Sequence, residues 1–388
     1  MAQLYSLSPN YELSLVEKKD TETIFLLADH SINETYTINE IIFTFLSFFK
    51  KPTSFFQSVD LFANAFESNK EDVLQTVNTF FGDMFHKSIL IKNEEYEHLI
   101  KQKEVENDLN GTYLRDFEIK KVLSKSDYLS IILVENKESS VKSIFKVLHL
   151  KHFFSEEAKR NHTKAFRQEA KIHKKAATHE GIVSFLDFKT TRKFVYLQMS
   201  YAEGESLSKF IVHNPQLSLE SRKILAQNIL SAYAHLHQLD LIHGDIHGNN
   251  IIVNSDLSIK IIDFDMSYHN TPIRRELVSK GGIQEYIAPE NISQSALHIS
   301  KRRSTLPSEV HQLGVILYFI FFAKLPFEAD TWSILAKKIK KQEPIFDIEL
   351  PQNIILFLQK AMQKKAKERF SSAIEMLEEW NKKAFTNE

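Results

Sequence analysis

The sequence predicts an α+β protein in two parts, a small winged-helix-like domain followed by a larger domain of strands and helices. Three observations lead there. Residues 1–95 read as three strands and then three helices. The overall charge of −1 hides an asymmetry, because residues 1–110 hold nine Lys, no Arg and eighteen Asp or Glu, a balance of −9 that leaves +8 for the rest. A polar stretch, KNEEYEHLIKQKEVENDLNG, ends at Gly111 where the charge changes sign, so residues 96–111 read as a linker. With 388 residues and 43% of them hydrophobic, each part has enough apolar material for its own core.

Within residues 1–95, YELSLVEK, TIFLLAD and TYTIN alternate as short strands, separated by polar EKKDTET and HSINE. Asn39 is placed to cap a helix carrying Ile41, Ile42, Phe45, Leu46 and Phe49. Ser58–Phe66 and Glu71–Phe85 continue with apolar stripes of helical period. A helical trio beside a small sheet is also the layout of a DNA reader. DNA binding draws on Lys and Arg neutralising phosphates, so a balance of −9 without Arg predicts no nucleic acid partner. A docking or structural domain fits the same periodicity.

The longest apolar runs, near Ile41–Phe49 and Val315–Ala323, are shorter than the roughly 20 residues of a membrane span, so both are expected as core helices. The first twenty residues carry neither a basic n-region nor a continuous apolar run, which predicts a cytoplasmic protein without a membrane partner. The absence of cysteine excludes disulfides and thiol catalysis. Any metal is left to carboxylates, amides and imidazoles.

The stretch ETYTINEIIFTFLSFF, followed later by FHKSILI, resembles the PqqD-like recognition domains (RiPP recognition elements) of ribosomal-peptide modification systems. That resemblance implies binding of an unstructured leader peptide as an added strand. The peptide would lie beside the third strand, residues 35–38, and against the third helix, residues 73–85.

The larger part carries the chemistry. In HGDIHGNNII, Asp245 and Asn250 flank one turn before the apolar IIV, and Asp263 ends a second apolar strand, IKII. Phosphoryl transfer requires a carboxylate to orient or accept the proton of the attacking hydroxyl, and oxygen ligands for a Mg²⁺ that bridges phosphates. Asp245, Asn250 and Asp263 supply that set. Two polar turns between buried strands would explain any one of the three, but not all of them together.

At these residues the chain resembles the protein-kinase-like fold, with HGDIHGNN in the place of H-R-D-x-x-x-x-N and DFD in the place of D-F-G. The resemblance runs from about residue 112 to 385. It implies a bilobal kinase fold, with an N-lobe at 112–200 and a C-lobe at 201–388, using ATP and Mg²⁺. Carried over residue by residue, it makes Asp245 the base and Asn250 and Asp263 the metal ligands. SIFKV places Lys146 where a phosphate-binding lysine belongs, and the helix Ser155–Ala177 offers Glu169 as its partner. VYLQMSYAEGESL places Met199 behind the adenine and Ser200, Tyr201 and Ala202 at the hinge. Ala288, Pro289 and Glu290 stand in the A-P-E positions, and Arg369 of AKERF is the implied partner of Glu290. SEVHQLGVILYFIFFAKLPF resembles the buried helix under the catalytic loop, with Glu309 where the family has Asp, implying a contact to the loop backbone.

The departures matter as much. On the glycine-rich loop, LSKSDYLSI leaves Ser124, Ser126 and Leu129 where glycines belong, so phosphate cover is expected from serine hydroxyls and N–H groups in a different shape. Gly244 replaces the arginine that receives an activation-loop phosphate, although Thr271 and Ser279 remain candidate phosphosites. His247 stands where Ser/Thr kinases keep a lysine, and is expected as a γ-phosphate or structural ligand. Ile283 replaces a loop-orienting Thr and Asp265 replaces the D-F-G glycine. The H-G-D-x-H variant resembles small-molecule kinases, atypical kinases and the kinase modules of lanthipeptide synthetases. The expected function is phosphorylation of Ser or Thr in a peptide or protein, above all a ribosomally made precursor peptide recruited through residues 1–95. A general Ser/Thr signalling kinase and a pseudokinase scaffold are the alternatives, and the sequence leaves the oligomeric state unset.

Overall fold

A computed structural model describes residues 3–17, 23–29, 34–97, 99–100, 113–126, 128–153, 155–270, 283–293, 304–347 and 349–383. The chain divides into two units, Met1–Lys125 and Ser126–Glu388. Residues 98 and 101–111 of the expected linker (96–111), the candidate phosphosites Thr271 and Ser279, and the glycines Gly111, Gly281 and Gly282 lie outside the described residues.

In the first unit, β1 is Leu4–Leu7, β2 Tyr11–Glu17, β3 Thr23–Asp29 and β4 Glu34–Ile38. Then come α1 (Glu40–Ser47), β5 (Thr53–Ser54), α2 (Phe55–Ala65), α3 (Lys70–His86), β6 (Leu90–Lys92) and β7 (Phe117–Lys125). The three expected strands form an antiparallel sheet in the order β2-β3-β4, with Leu13 opposite Leu27 and Leu27 opposite Tyr36. A second sheet, β5-β1-β6, was not expected. Two of its strands are only two or three residues long, too short to display alternation.

Asn39 caps α1 as expected, its Oδ1 accepting from the Ile42 N–H at 2.8 Å. The second helix begins three residues ahead of the expected Ser58. Ser54 and Gln57 form a reciprocal capping box there, Gln57 Oε1 accepting from Ser54 N at 2.9 Å and Ser54 Oγ from Gln57 N at 3.3 Å. The helices meet in an aromatic core, with the Phe45 ring 5.3 Å from Phe49 and 6.3 Å from Phe62.

The second unit opens with β8 (Leu129–Asn136), β9 (Lys142–His149), α4 (Glu156–Ala176), β10 (Phe185–Thr190) and β11 (Phe194–Ser200). The strands run antiparallel in the order β10-β11-β9-β8. Next are β12 (Glu205–Ser206), α5 (Leu207–His213), α6 (Leu219–Gln238), β13 (Leu241–Ile242), β14 (Ile251–Val253), β15 (Ile259–Ile261) and β16 (Tyr268–His269). Four helices close the unit: α7 (Leu306–Phe322), α8 (Trp332–Lys341), α9 (Gln352–Ala361) and α10 (Ala373–Lys383).

The apolar run near Val315 is inside α7, where every residue from Ser308 to Phe322 is buried. It is therefore the axis of the helical core, packed against α6, α9 and α10. No helix among the described residues is long and apolar enough to cross a membrane.

Candidate active site

Strand pairing sets the site. In the β14–β15 hairpin Ile251 faces Ile261, and the Ile262 N–H continues the ladder to the Asn250 carbonyl at 3.0 Å. Asn250 and Asp263 therefore emerge side by side at one end of the hairpin. Asp263 sits at φ +63°, a left-handed conformation uncommon for a side-chain-bearing residue that turns the chain sharply after the strand.

Lys146 lies on β9 opposite Leu197 of β11. Its Nζ donates to Glu169 Oε1 of α4 at 2.7 Å and to Asp263 Oδ1 at 2.9 Å. Both the lysine and Glu169 are buried. Burial pulls the lysine down, but Glu169, Asp263 and Asp265 outweigh it and hold the ammonium above the ordinary lysine range. Burial likewise pushes Asp263 upward, yet Lys146 prevails and keeps that carboxyl below its usual range.

Asp245 is held by two donors on one oxygen. Asn250 Nδ2 reaches Asp245 Oδ2 at 3.2 Å and the Asp245 carbonyl at 3.0 Å, and His247 Nε2 lies 3.3 Å from the same Oδ2. The tautomer of His247 follows from its other nitrogen. Nδ1 accepts from the Asn249 N–H at 3.2 Å, so Nε2 carries the proton and donates it to Asp245. Asp245 Oδ1 keeps its lone pairs for a substrate hydroxyl. Asn250, with its amide nitrogen so engaged, keeps Oδ1 as an acceptor. That oxygen and the Asp263 carboxylate are the hard donors a Mg²⁺ takes, and so the residues fit the metal and its phosphate ligands.

Two supports lie beneath the site, and in each the histidine, His173 in one and His237 in the other, was missed by sequence reasoning. The His173 ring stacks on Phe264 at 5.1 Å, with Phe185 5.8 Å on one side and His243 5.2 Å from Phe264 on the other, an aromatic column from β10 to the catalytic loop. His173 donates Nε2–H to the Val183 carbonyl at 2.7 Å, and burial keeps its pKa low and the ring neutral. The second support is Glu309 of α7, fully buried. Its Oε1 accepts from the Gly244 N–H at 2.7 Å, the contact expected from its position, and its Oε2 lies 2.9 Å from His237 Nε2. His237 Nδ1 in turn accepts from the Ala373 N–H at 2.9 Å, so α10 is tied to the loop through α6 and α7. One histidine in a helix gives no sequence signal for that link.

The remaining expected residues are placed as follows. The Ser200 N–H is bonded to the Ser184 carbonyl at 3.0 Å, which leaves the Ser200 carbonyl and the Tyr201 and Ala202 backbone as the hinge groups for an adenine. Met199, one residue earlier on β11, packs against the core of the sheet. Ser126 folds back on itself, its N–H donating to the Leu129 carbonyl at 2.8 Å while its Oγ accepts from the Leu129 N–H at 3.2 Å. A phosphate could use the Ser126 donors only by opening that turn. Ser124 lies on β7, in the first unit. Glu290 and Arg369 form a two-pronged pair at 2.9 and 2.7 Å, and Ser308 adds a hydroxyl to Glu290 at 2.9 Å.

Gly244 has a conformational reason to be glycine. Its φ is +83°, and a Cβ there would lie 2.5 Å from the Met266 carbonyl oxygen.

A family model described as the protein kinase domain matches residues 119–381. Aurora kinase C of Mus musculus is 26% identical over 267 residues, covering 69% of this chain and 92% of that protein. The serine/threonine-protein kinase PrkC of Bacillus subtilis is 28% identical over 217 residues, 54% of this chain and 32% of PrkC. Sperm motility kinase 1 of Mus musculus is 34% identical over 161 residues, or 42% of this chain. In the last two comparisons the match spans about a third of the relative's length.

Proposed function

The chain belongs to the protein kinase family, and from that premise we propose that it transfers the γ-phosphoryl group of ATP to Ser or Thr hydroxyls of a peptide recruited by its N-terminal domain. The carrying observation is the arrangement around Asp245. Both of its donors engage Oδ2, so Oδ1 is poised to accept the hydroxyl proton of the incoming Ser or Thr. Lys146, fixed by Glu169 and Asp263, meets the phosphates as a permanent cation. Asn250 and Asp263 would hold Mg²⁺, whose charge offsets that of the phosphates when bound. His247 orients the base through its bond to Oδ2.

In this reading residues 1–95 form a PqqD-like recognition domain, 96–111 a linker, and 112–200 and 201–388 the kinase lobes. The supporting feature is β4, which pairs with β3 on one side and has no second strand partner among the described residues. A leader peptide would add there as a further strand, with the exposed Tyr36 as its contact. The substrate is then a ribosomally made precursor peptide with Ser or Thr in its core. Tethering raises the local concentration of that core to the millimolar range, so weak recognition in the catalytic cleft suffices.

Mass spectrometry of such a precursor, incubated with the chain, ATP and Mg²⁺, tests the proposal. Phosphate on core Ser or Thr is the expected product. Equal rates for the leaderless core would remove the recruiting role from residues 1–95. The second reading, a Ser/Thr kinase acting on folded proteins, draws on the naming of PrkC as a serine/threonine-protein kinase, and it predicts just that indifference to the leader.

A further inference from the structure

The outer face of α4 carries a row of cations without counter-charges. Arg160, Lys164, Arg167 and Lys171 recur at spacings of four, three and four, which places them on one stripe of a 3.6-residue helix, on the side opposite Glu169. All four are exposed, and none has an ion pair or hydrogen bond among the described residues. Their neighbour Lys159 differs, lying 3.4 Å from Glu156. Like charges three and four residues apart weaken a helix, so the row persists against its own repulsion. The four line a groove of about 590 Å³ together with Leu150, Thr163, Gln168, Thr190 and the Glu156–Lys159 pair, whose charges offset each other.

The geometry points to this groove as a docking site for an acidic peptide segment of a partner protein. The cations span twelve residues of helix, about 17 Å from first to last, which matches about five residues of extended chain. Side chains on one face of such a strand recur about 7 Å apart, close to the spacing of neighbouring cations on the stripe. The two arginines present planar forks that fit carboxylates with two hydrogen bonds each. Thr163 and Gln168 add neutral polar groups, and Leu150 adds an apolar contact for the peptide's intervening residues. The inference rests on α4 and its surroundings alone, and is independent of which hydroxyl is phosphorylated.

The test uses the full chain and a fluorescein-labelled decapeptide of alternating glutamate and alanine, followed by anisotropy at about 0.1 M salt. One variant combines Arg160→Gln, Lys164→Gln, Arg167→Gln and Lys171→Gln. A second removes equal charge at exposed lysines elsewhere in the unit, Lys209→Gln, Lys337→Gln, Lys341→Gln and Lys367→Gln. Unchanged melting temperatures establish that both fold. The groove variant is expected to bind about tenfold or more weakly, and the second variant within about twofold of the original chain. Equal weakening in both variants would reduce the effect to net charge and overturn the proposal. So would failure of the original chain to bind the peptide, or tighter binding of a single-stranded oligonucleotide of the same charge.

Discussion

Among the described residues Asp245 has two donors on one carboxylate oxygen and none on the other, and that asymmetry decides what its substitution does. Asp245→Asn keeps the shape but loses the acceptor, so turnover should fall by about 10²–10⁴-fold while nucleotide still raises the melting temperature. Loss of both responses would place the defect in folding instead. Gly244 makes a second prediction. With φ at +83° and the Met266 carbonyl where a Cβ would go, Gly244→Ala should destabilise the chain by about 1–3 kcal/mol in chemical denaturation. Lys146, Glu169, Asp245, Asn250 and Asp263 were legible as neighbours because each sits in a motif of characteristic spacing. The reason for Gly244 was not legible. Its letter shows only that an arginine is missing, whereas the backbone shows that a side chain there would be strained and would press on the Met266 carbonyl.

At the scale of elements, the Glu290–Arg369 pair joins the segment before α7 to the turn before α10. Burial pushes the Glu290 carboxyl upward, but Arg369 outweighs it and holds the pKa below the ordinary 4.5. A carboxyl depressed by folding stabilises fully above its unfolded pKa, and that contribution is lost as pH falls through the lower, folded value. Glu290→Gln should therefore be destabilised relative to the original chain at pH 7, with the gap closing below about pH 4.5, as read by denaturation at the two pH values. Arg369→Ala leaves a half-buried carboxylate unpaired and should cost about 3 kcal/mol or more at pH 7. This pairing could be foreseen because both ends sit in motifs. The His237 bridge and the His173–Phe264 column could not, since stacking and tautomer depend on helix packing rather than on spacing.

For the whole molecule, the strand-then-helix order and the swing from −9 to +8 in charge made two parts readable from the sequence. The β5-β1-β6 sheet escaped because its pairing joins residues far apart in the chain through very short strands. Recruitment through the first unit predicts a division of kinetic effects. Tyr36→Glu, at an exposed position of the edge strand β4, should raise KM for a precursor peptide about tenfold with kcat and melting temperature unchanged, and excess free leader should inhibit competitively. A fall in kcat alone would contradict recruitment. Gly244 also bears on control. Because its backbone is left-handed and the Met266 carbonyl stands where a Cβ would go, an arginine placed there to receive a loop phosphate would have to shift the chain around Met266. The position is committed to the turn of the catalytic loop, and a phosphate on the segment after Asp263 would find no guanidinium at residue 244.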